Sequence, residues 1–196
     1  MISSIVLAAG LSSRMGQPKA LLDWGGEPLV NYQVKQLLEA GVDEVVVVLG
    51  YRADEVSRVI RHVPCRPMLN ARYQMGRAGS LRVGAKAVNR DADTIVIVNV
   101  DQPRPATFIK SLLDAHASGD WLATRPVHDG HGGHPIIVSG KLRGELLAAQ
   151  DESDGLRGVL RAHADQVQDV PGGDEAHLDI NTPDDYEQAR PQTASA

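Results

Sequence analysis

The feature that most constrains the fold is a pair of apolar runs without the alternation of a half-exposed strand. Val45-Val46-Val47-Val48-Leu49, within Glu44–Gly50, and T-I-V-I-V-N-V at Thr94–Val100 are β-branched at almost every position. Such runs are strands covered on both faces, as in parallel sheets sandwiched by helices. Ile5–Ala8 reads as another buried strand and Arg66–Leu69 as a short one. Helix-period segments lie between them. Pro28–Ala40 puts Leu29, Val30, Val34, Leu37 and Leu38 on one face and stops at Gly41. Ala53–His62 and Gly79–Val88 follow, and Pro105–Ser118 turns Phe108, Ile109, Leu112 and Leu113 inward. This β-α-β-α order predicts an α/β fold, a single three-layer α/β/α domain around a mostly parallel sheet. Past residue 120 the pattern loosens. Strands are expected near Trp121–Arg125, Pro135–Ser139 and Gln166–Val170, and helices near Lys141–Gln150 and Gly155–His163. Thr182-Pro183-Asp184-Asp185 starts a last helix, with Thr as N-cap, Pro at N1 and an acid at N3. The domain is expected over residues 1–190, with 191–196 a frayed tail.

A chain of 196 residues suits one domain. Its net charge of −5 argues against a general nucleic-acid or anionic-membrane binder. Aromatic content of 4% leaves little for a base-stacking platform. Cys65 is the only cysteine, which excludes an internal disulfide or a CxxC site, and it reads as a small hydrophobe. Trp24 and Trp121, the latter on a strand, read as core residues. The N-terminal stretch lacks the basic region of a signal peptide, and no apolar run approaches the ~18 residues of a membrane span. A cytoplasmic protein is expected.

Ligands of parallel α/β sheets sit at the carboxyl ends of strands, so the segments that follow strands matter most. After Ile5–Ala8 comes Ala9-Gly10-Leu11-Ser12-Ser13-Arg14-Met15-Gly16-Gln17-Pro18-Lys19. Glycines there let backbone N–H groups approach phosphate oxygens, and Arg14 and Lys19 can neutralise them. The spacing is not that of a Walker A loop. G-x-G-x-x-G is absent too, and Leu49-Gly50-Tyr51 lacks the ribose-binding acid of a dinucleotide fold, which disfavours an NAD-type oxidoreductase. Composition alone leaves a merely flexible Gly/Ser loop as an equal alternative. Asp101 follows the strand Thr94–Val100, and Asp179 precedes the last helix. Either carboxylate could hold a hard cation through oxygen, or be a turn or capping residue. His128, His131 and His134 are spaced by three, a metal-like pattern on a Gly-rich loop that fixes no geometry. The remaining histidines, His62, His116, His163 and His177, carry no pattern.

The segment Leu7-Ala8-Ala9-Gly10-x-Ser12-x-Arg14-Met15-Gly16-x-x-Lys19 resembles, at every fixed position, the signature of the MobA-like nucleotidyltransferases. Within them the chain looks most like the molybdenum cofactor cytidylyltransferase branch, and the resemblance runs to about Arg190. It implies a Rossmann-like sheet of the nucleotide-diphospho-sugar transferase type. It also implies that Ala8, Ala9, Gly10, Ser12 and Gly16 wrap a triphosphate, with Arg14 and Lys19 on its charge. Asp101, in D-Q-P, and Asp179, in the motif D-I-D-T-P, would hold Mg2+. This chain has Asn181 at that motif's second aspartate. Asn70, Gly79 and Ser80 fall to the base pocket, and Gly133-His134-Pro135 to the acceptor side with His134. The imperfect match Ser153-Asp154-Gly155-Leu156-Arg157 implies Arg157 as a further acceptor contact, with an ordinary surface helix arginine as the equal alternative. The implied reaction moves CMP from CTP to molybdopterin and releases pyrophosphate. Leu-Ala-Ala-Gly, where guanylyltransferase relatives show Leu-Ala-Gly-Gly, and the G-H-P element both favour cytosine. An acceptor phosphate is ionised at pH 7, so no general base is needed and catalysis reduces to alignment and charge neutralisation. The alternatives are a transferase of the same fold acting on a sugar or alcohol phosphate, and a non-catalytic module that assembles a cofactor. Transient contact with a molybdoenzyme is an expected partner interaction.

Overall fold

The computed structural model describes residues 1–191, except for the side chains of Asp174 and His177. The expectations for His177 and for residues 192–196 therefore lie outside the described residues. Eight strands form one sheet: β1 (Ile2–Ala8), β2 (Glu44–Leu49), β3 (Arg66–Leu69), β4 (Thr94–Asn99), β5 (Ala123–His128), β6 (His131–Gly132), β7 (Ile136–Ser139) and β8 (Val167–Pro171). The helices are α1 (Leu29–Glu39), α2 (Ala53–Val59), α3 (Arg77–Ala87), α4 (Ala106–Ala117), α5 (Arg143–Ala148), α6 (Leu156–Ala162) and α7 (Pro183–Ala189).

The strand order is β3-β2-β1-β4-β7-β5-β6, with β8 also paired to β5. β3, β2, β1 and β4 are mutually parallel. β7 runs antiparallel between β4 and β5, and β8 pairs parallel with β5. The sheet is thus mostly parallel, and the chain reverses its direction of travel between β1 and β4. A crevice opens at the carboxyl ends of strands where the order reverses in this way.

The valine-rich runs divide their side chains between two cores. Val6, Val45, Val47, Val96 and Val98 face α1, α2 and α4. Ile5, Val46, Val48, Ile95 and Ile97 face α3, α5 and α6. Period-2 alternation with no polar face is what a middle layer requires. Helix α3 lies very close to the sheet at Gly84, where a Cβ would overlap Ile5. A smaller cluster of Leu22, Trp24, Leu29 and Ile180 fastens the segment before α7 to the start of the chain. Cys65 is half-buried beside the first core, and burial pushes its thiol pKa up.

Several boundaries differ from the sequence pattern for physical reasons. Helix α3 starts at Arg77, two residues early, because Asp151 Oδ1 accepts from the backbone N–H groups of Arg77 and Ala78 at 2.8 and 3.0 Å. A cap delivered from 73 residues away leaves no local signal. Gly76 permits it, with φ +117° and no Cβ to strike the Asp151 carboxylate. Helix α2 ends at Val59 and finishes as a 3₁₀ turn over Ile60–His62. Strand β5 starts at Ala123, so Trp121 lies ahead of it and is half-buried rather than core. The strand then continues to His128 and folds back through Asp129-Gly130, both at positive φ, to pair with β6. An Asp-Gly pair is a strong hairpin signal. Thr182 caps α7 as the sequence implies: its hydroxyl accepts from Asp185 N–H while the Asp185 carboxylate accepts from Thr182 N–H.

Candidate active site

The loop after β1 lies at the reversal point. Ala8 and Ala9 are buried at its root, while Gly10, Arg14 and Gly16 are exposed. A Cβ at Gly10 or Gly16 would meet no atom within 4 Å, so the open side of the loop has room for a ligand against its backbone. Ser12 sits at φ +51°, and its hydroxyl accepts from Lys19 N–H at 3.0 Å. That bond closes the loop and presents the Lys19 side chain from the short 3₁₀ turn Lys19–Leu21.

Lys19 Nζ donates to Asp101 Oδ2 at 2.6 Å and to Asn181 Oδ1 at 3.0 Å. Arg14 Nη2 reaches the same Asn181 oxygen at 3.4 Å. Asn181 is therefore the acceptor that gathers both cations of the loop. The turn carrying Asp101 is braced by the buried Gln33, whose Nε2 donates to the carbonyls of Asn99 and Gln102 at 3.1 and 2.9 Å. Ile180 N–H donates to the Asp101 carbonyl at 2.9 Å, which brings the Asp179–Asn181 segment beside the end of β4.

Asp179 is half-buried, and its Oδ1 is a buried oxygen with no hydrogen-bond partner. Burial raises its carboxyl pKa, and the negative charge of Asp101 adds to the effect against Asn181 and Lys19. Two carboxylates lining one cleft, one of them with an unpartnered oxygen, form a set of hard donors, the kind Mg2+ or Mn2+ takes alongside phosphate and water. Among the described residues, no trio of His, Cys, Asp or Glu is placed to hold a metal. That leaves the His128, His131, His134 spacing without a metal geometry.

A cleft of about 990 Å³ opens beside these carboxylates, lined among others by Arg77, Asp101, Arg125, His134, Arg157 and Asp179. Burial first, and the Arg104 charge next, lower the His134 pKa to about 4, so its imidazole is neutral at pH 7. Arg157 is exposed at the rim. Asn70 and Gly79 line a different groove, between α3 and α5. Asn70 is buried and already engaged: its Nδ2 donates to Ser80 Oγ at 2.9 Å, and its Oδ1 accepts from Arg72 N–H at 3.0 Å. The described residues thus fall into a cluster of the loop after β1 with the two carboxylates, a cleft lined by His134 and Arg157, and an Asn70–Ser80 pair in a separate groove.

Sequence reasoning missed Arg104, a fully buried guanidinium behind the carboxylates, because an arginine after proline in a loop reads as surface. It also missed Arg77, which electrostatically opposes protonation of both His134 and Asp179 from the mouth of the cleft. Only the start of α3 near a strand end pointed there.

The model of the MobA-like NTP transferase domain matches residues 4–167. The molybdenum cofactor cytidylyltransferase of Escherichia coli is 28% identical over 94% of this chain and 93% of its own length. Nicotine blue oxidoreductase of Paenarthrobacter nicotinovorans is 30% identical over 82% of this chain and 81% of its own. Among solved structures, a nucleotidyl transferase from Methanothermobacter superimposes with a TM-score of 0.82 at 27% identity, covering 97% of this chain and 96% of that one. Matched by that model over most of its length, the chain belongs to the MobA-like NTP transferases and is a nucleotidyltransferase.

Proposed function

We propose that this enzyme transfers CMP from CTP to molybdopterin, with release of pyrophosphate and with Mg2+ as its metal. The observation that carries the reading is the convergence of Lys19, Asp101, Asn181 and the unpartnered Asp179 oxygen at the carboxyl ends of β1 and β4. Cytosine and molybdopterin rest on the Leu7-Ala8-Ala9-Gly10 and Gly133-His134-Pro135 elements, and the similarity to a cytidylyltransferase supports them. An oxidoreductase reading is disfavoured, because the chain lacks a dinucleotide loop and has Lys19, Asp101 and Asp179, the charged groups that nucleotidyl transfer needs.

Asp101 and Asp179 would hold the cation, which when bound neutralises charge building on the α-phosphate and on the departing pyrophosphate. The chain's own residues do the rest. The Ser12 hydroxyl fixes the Lys19 backbone, and the Lys19 ammonium, paired with Asp101 in the free enzyme, would turn to the triphosphate. Arg14 adds a second positive charge from the exposed side, and the backbone at Gly10 and Gly16 approaches the phosphates. The acceptor phosphate, already ionised, lies in the cleft between Arg157 and His134. His134 is neutral there and contributes a hydrogen bond rather than a charge. Asn70, Gly79 and Ser80 would make the base site at the start of α3, where the Asn70 and Ser80 side chains are bonded to each other. The reaction belongs in the cytoplasm, with its product passed on in transient contact with a molybdoenzyme.

Thermal unfolding with Mg2+ and CTP, GTP, ATP or UTP tests this. A ligand at 100 times its dissociation constant stabilises by about 2.7 kcal/mol, which for a domain of this size raises Tm by roughly 5–10 °C. A magnesium-dependent rise selective for CTP supports the reading. A rise with GTP or ATP alone moves the base and acceptor assignment to another transferase of the fold, and no rise with any nucleotide refutes it.

A further inference from the structure

Arg104 is 1% exposed, and its guanidinium donates to four backbone carbonyls. Nε donates to His134 at 3.0 Å, Nη1 to Pro103 at 2.9 Å and to Leu178 at 2.9 Å, and Nη2 to Ala176 at 2.8 Å. These carbonyls belong to three separate loops: the turn after β4, the segment leading into β7, and the segment leading to α7. The Leu178 carbonyl belongs to the peptide unit that begins Asp179. On the other side of Asp179, Ile180 N–H is tied to the Asp101 carbonyl. Asp179 is thereby held from both flanks, one tie running to Arg104 and the other to Asp101 itself. Gly133 allows the close approach, since a Cβ there would strike the Ala176 carbonyl.

Burying a guanidinium costs several kcal/mol unless its donors are satisfied and its charge is balanced. Here carbonyls satisfy the donors, and the charge is balanced at longer range by Asp179, Glu175 and Asp101. Neutral donors could join two loops at less cost. A rigid planar fork that joins three loops and also sets a positive charge behind two carboxylates does more.

We propose that Arg104 is the positioning residue of the metal site, its guanidinium locking the loops of Asp101, His134 and Asp179 so that both carboxylates address one cation. The proposal rests on the reading of Asp101 and Asp179 as the carboxylates that hold the metal. Its sign separates it from a charge effect. A cation beside two carboxylates repels a metal ion, so deleting Arg104 would tighten metal binding if charge were its whole contribution. Lost positioning does the opposite.

The test is binding of Mn2+ alone, read from the free-ion signal by electron paramagnetic resonance, well below the unfolding temperature of each protein. The proteins are the wild type, Arg104→Met, Arg104→Lys and Asp179→Asn. Partners that orient metal ligands typically contribute 10–100-fold to affinity, so Arg104→Met is expected to raise the Mn2+ Kd by roughly that factor. Arg104→Lys keeps the charge but cannot bridge the carbonyls, and its Kd is expected to rise at least several-fold. Should Arg104→Met not fold, Arg104→Lys decides. Unchanged or tighter Mn2+ binding by folded Arg104→Lys, with Asp179→Asn defective, overturns the role of Arg104 alone. A wild type that holds no Mn2+, or an Asp179→Asn variant that holds it equally well, overturns the metal-site reading and this proposal with it.

Discussion

Replacing Lys19 by methionine should destabilise the free enzyme and at the same time open the carboxylate pair to metal. The Lys19 and Asp101 side chains are only 13% and 15% exposed, and their charged atoms lie 2.6 Å apart. Removing one member of a buried pair strands the other charge, at about 3–5 kcal/mol in full burial. The residual exposure of both groups brings this to about 2–3 kcal/mol. A domain of this size loses roughly 2–4 °C of Tm per kcal/mol, so the fall should be about 5–10 °C. Asp101→Asn in the same protein removes the stranded charge and should restore most of the loss. Added Mg2+ should stabilise Lys19→Met more than the wild type, because no ammonium competes for Asp101. Thermal and urea unfolding of the two single variants and the double variant give the coupling directly. A loss below about 0.5 kcal/mol, or no recovery in the double variant, would refute the view that the ammonium holds the cation's place in the free enzyme.

Other consequences are separately measurable. Asp101→Ala should abolish nucleotidyl transfer while leaving the circular dichroism of the folded protein intact; retained magnesium-dependent turnover would remove Asp101 from the metal site. His134 binds its proton only near pH 4 when folded but near 6.5 when unfolded, so between these values the unfolded state carries more protons and stability falls as pH drops. The loss reaches at most roughly 3 kcal/mol by pH 4. Asp179, with its raised pKa, works in the opposite sense, so the comparison is the slope of the wild type against that of His134→Asn, which should be flatter. Gly76→Ala places a Cβ at φ +117° against the Asp151 carboxylate that caps α3. It should cost roughly 1–3 kcal/mol in urea unfolding, and a neutral result would dismiss that cap.

The middle layer of the fold was legible because its strands are buried on both faces, and the short β-branched runs Val45–Leu49 and Thr94–Val100 carry that pattern. The cap of α7 was legible because its partners are three residues apart. What the sequence could not show depends on distant segments. Asp151 caps the first residue of α3 from a turn 74 residues on, and Arg104 is buried where Ala176 and Leu178 return over it. In the site, Lys19 and Asp101 could be named singly from their places after β1 and β4. Their pairing, and the gathering of Lys19 and Arg14 on Asn181, required the strand order. Asn181 itself stood out only as a departure from an acidic motif. Its neutral oxygen accepts from both cations without adding a negative charge beside Asp101 and Asp179.

The most direct measurement is transfer itself: CTP labelled at the α-phosphate, Mg2+ and molybdopterin, followed for labelled dinucleotide and for pyrophosphate. The account predicts that both appear in equal amounts, only when molybdopterin is present, and with CTP in preference to GTP. Pyrophosphate release with no labelled dinucleotide, or transfer from GTP but not from CTP, would contradict it.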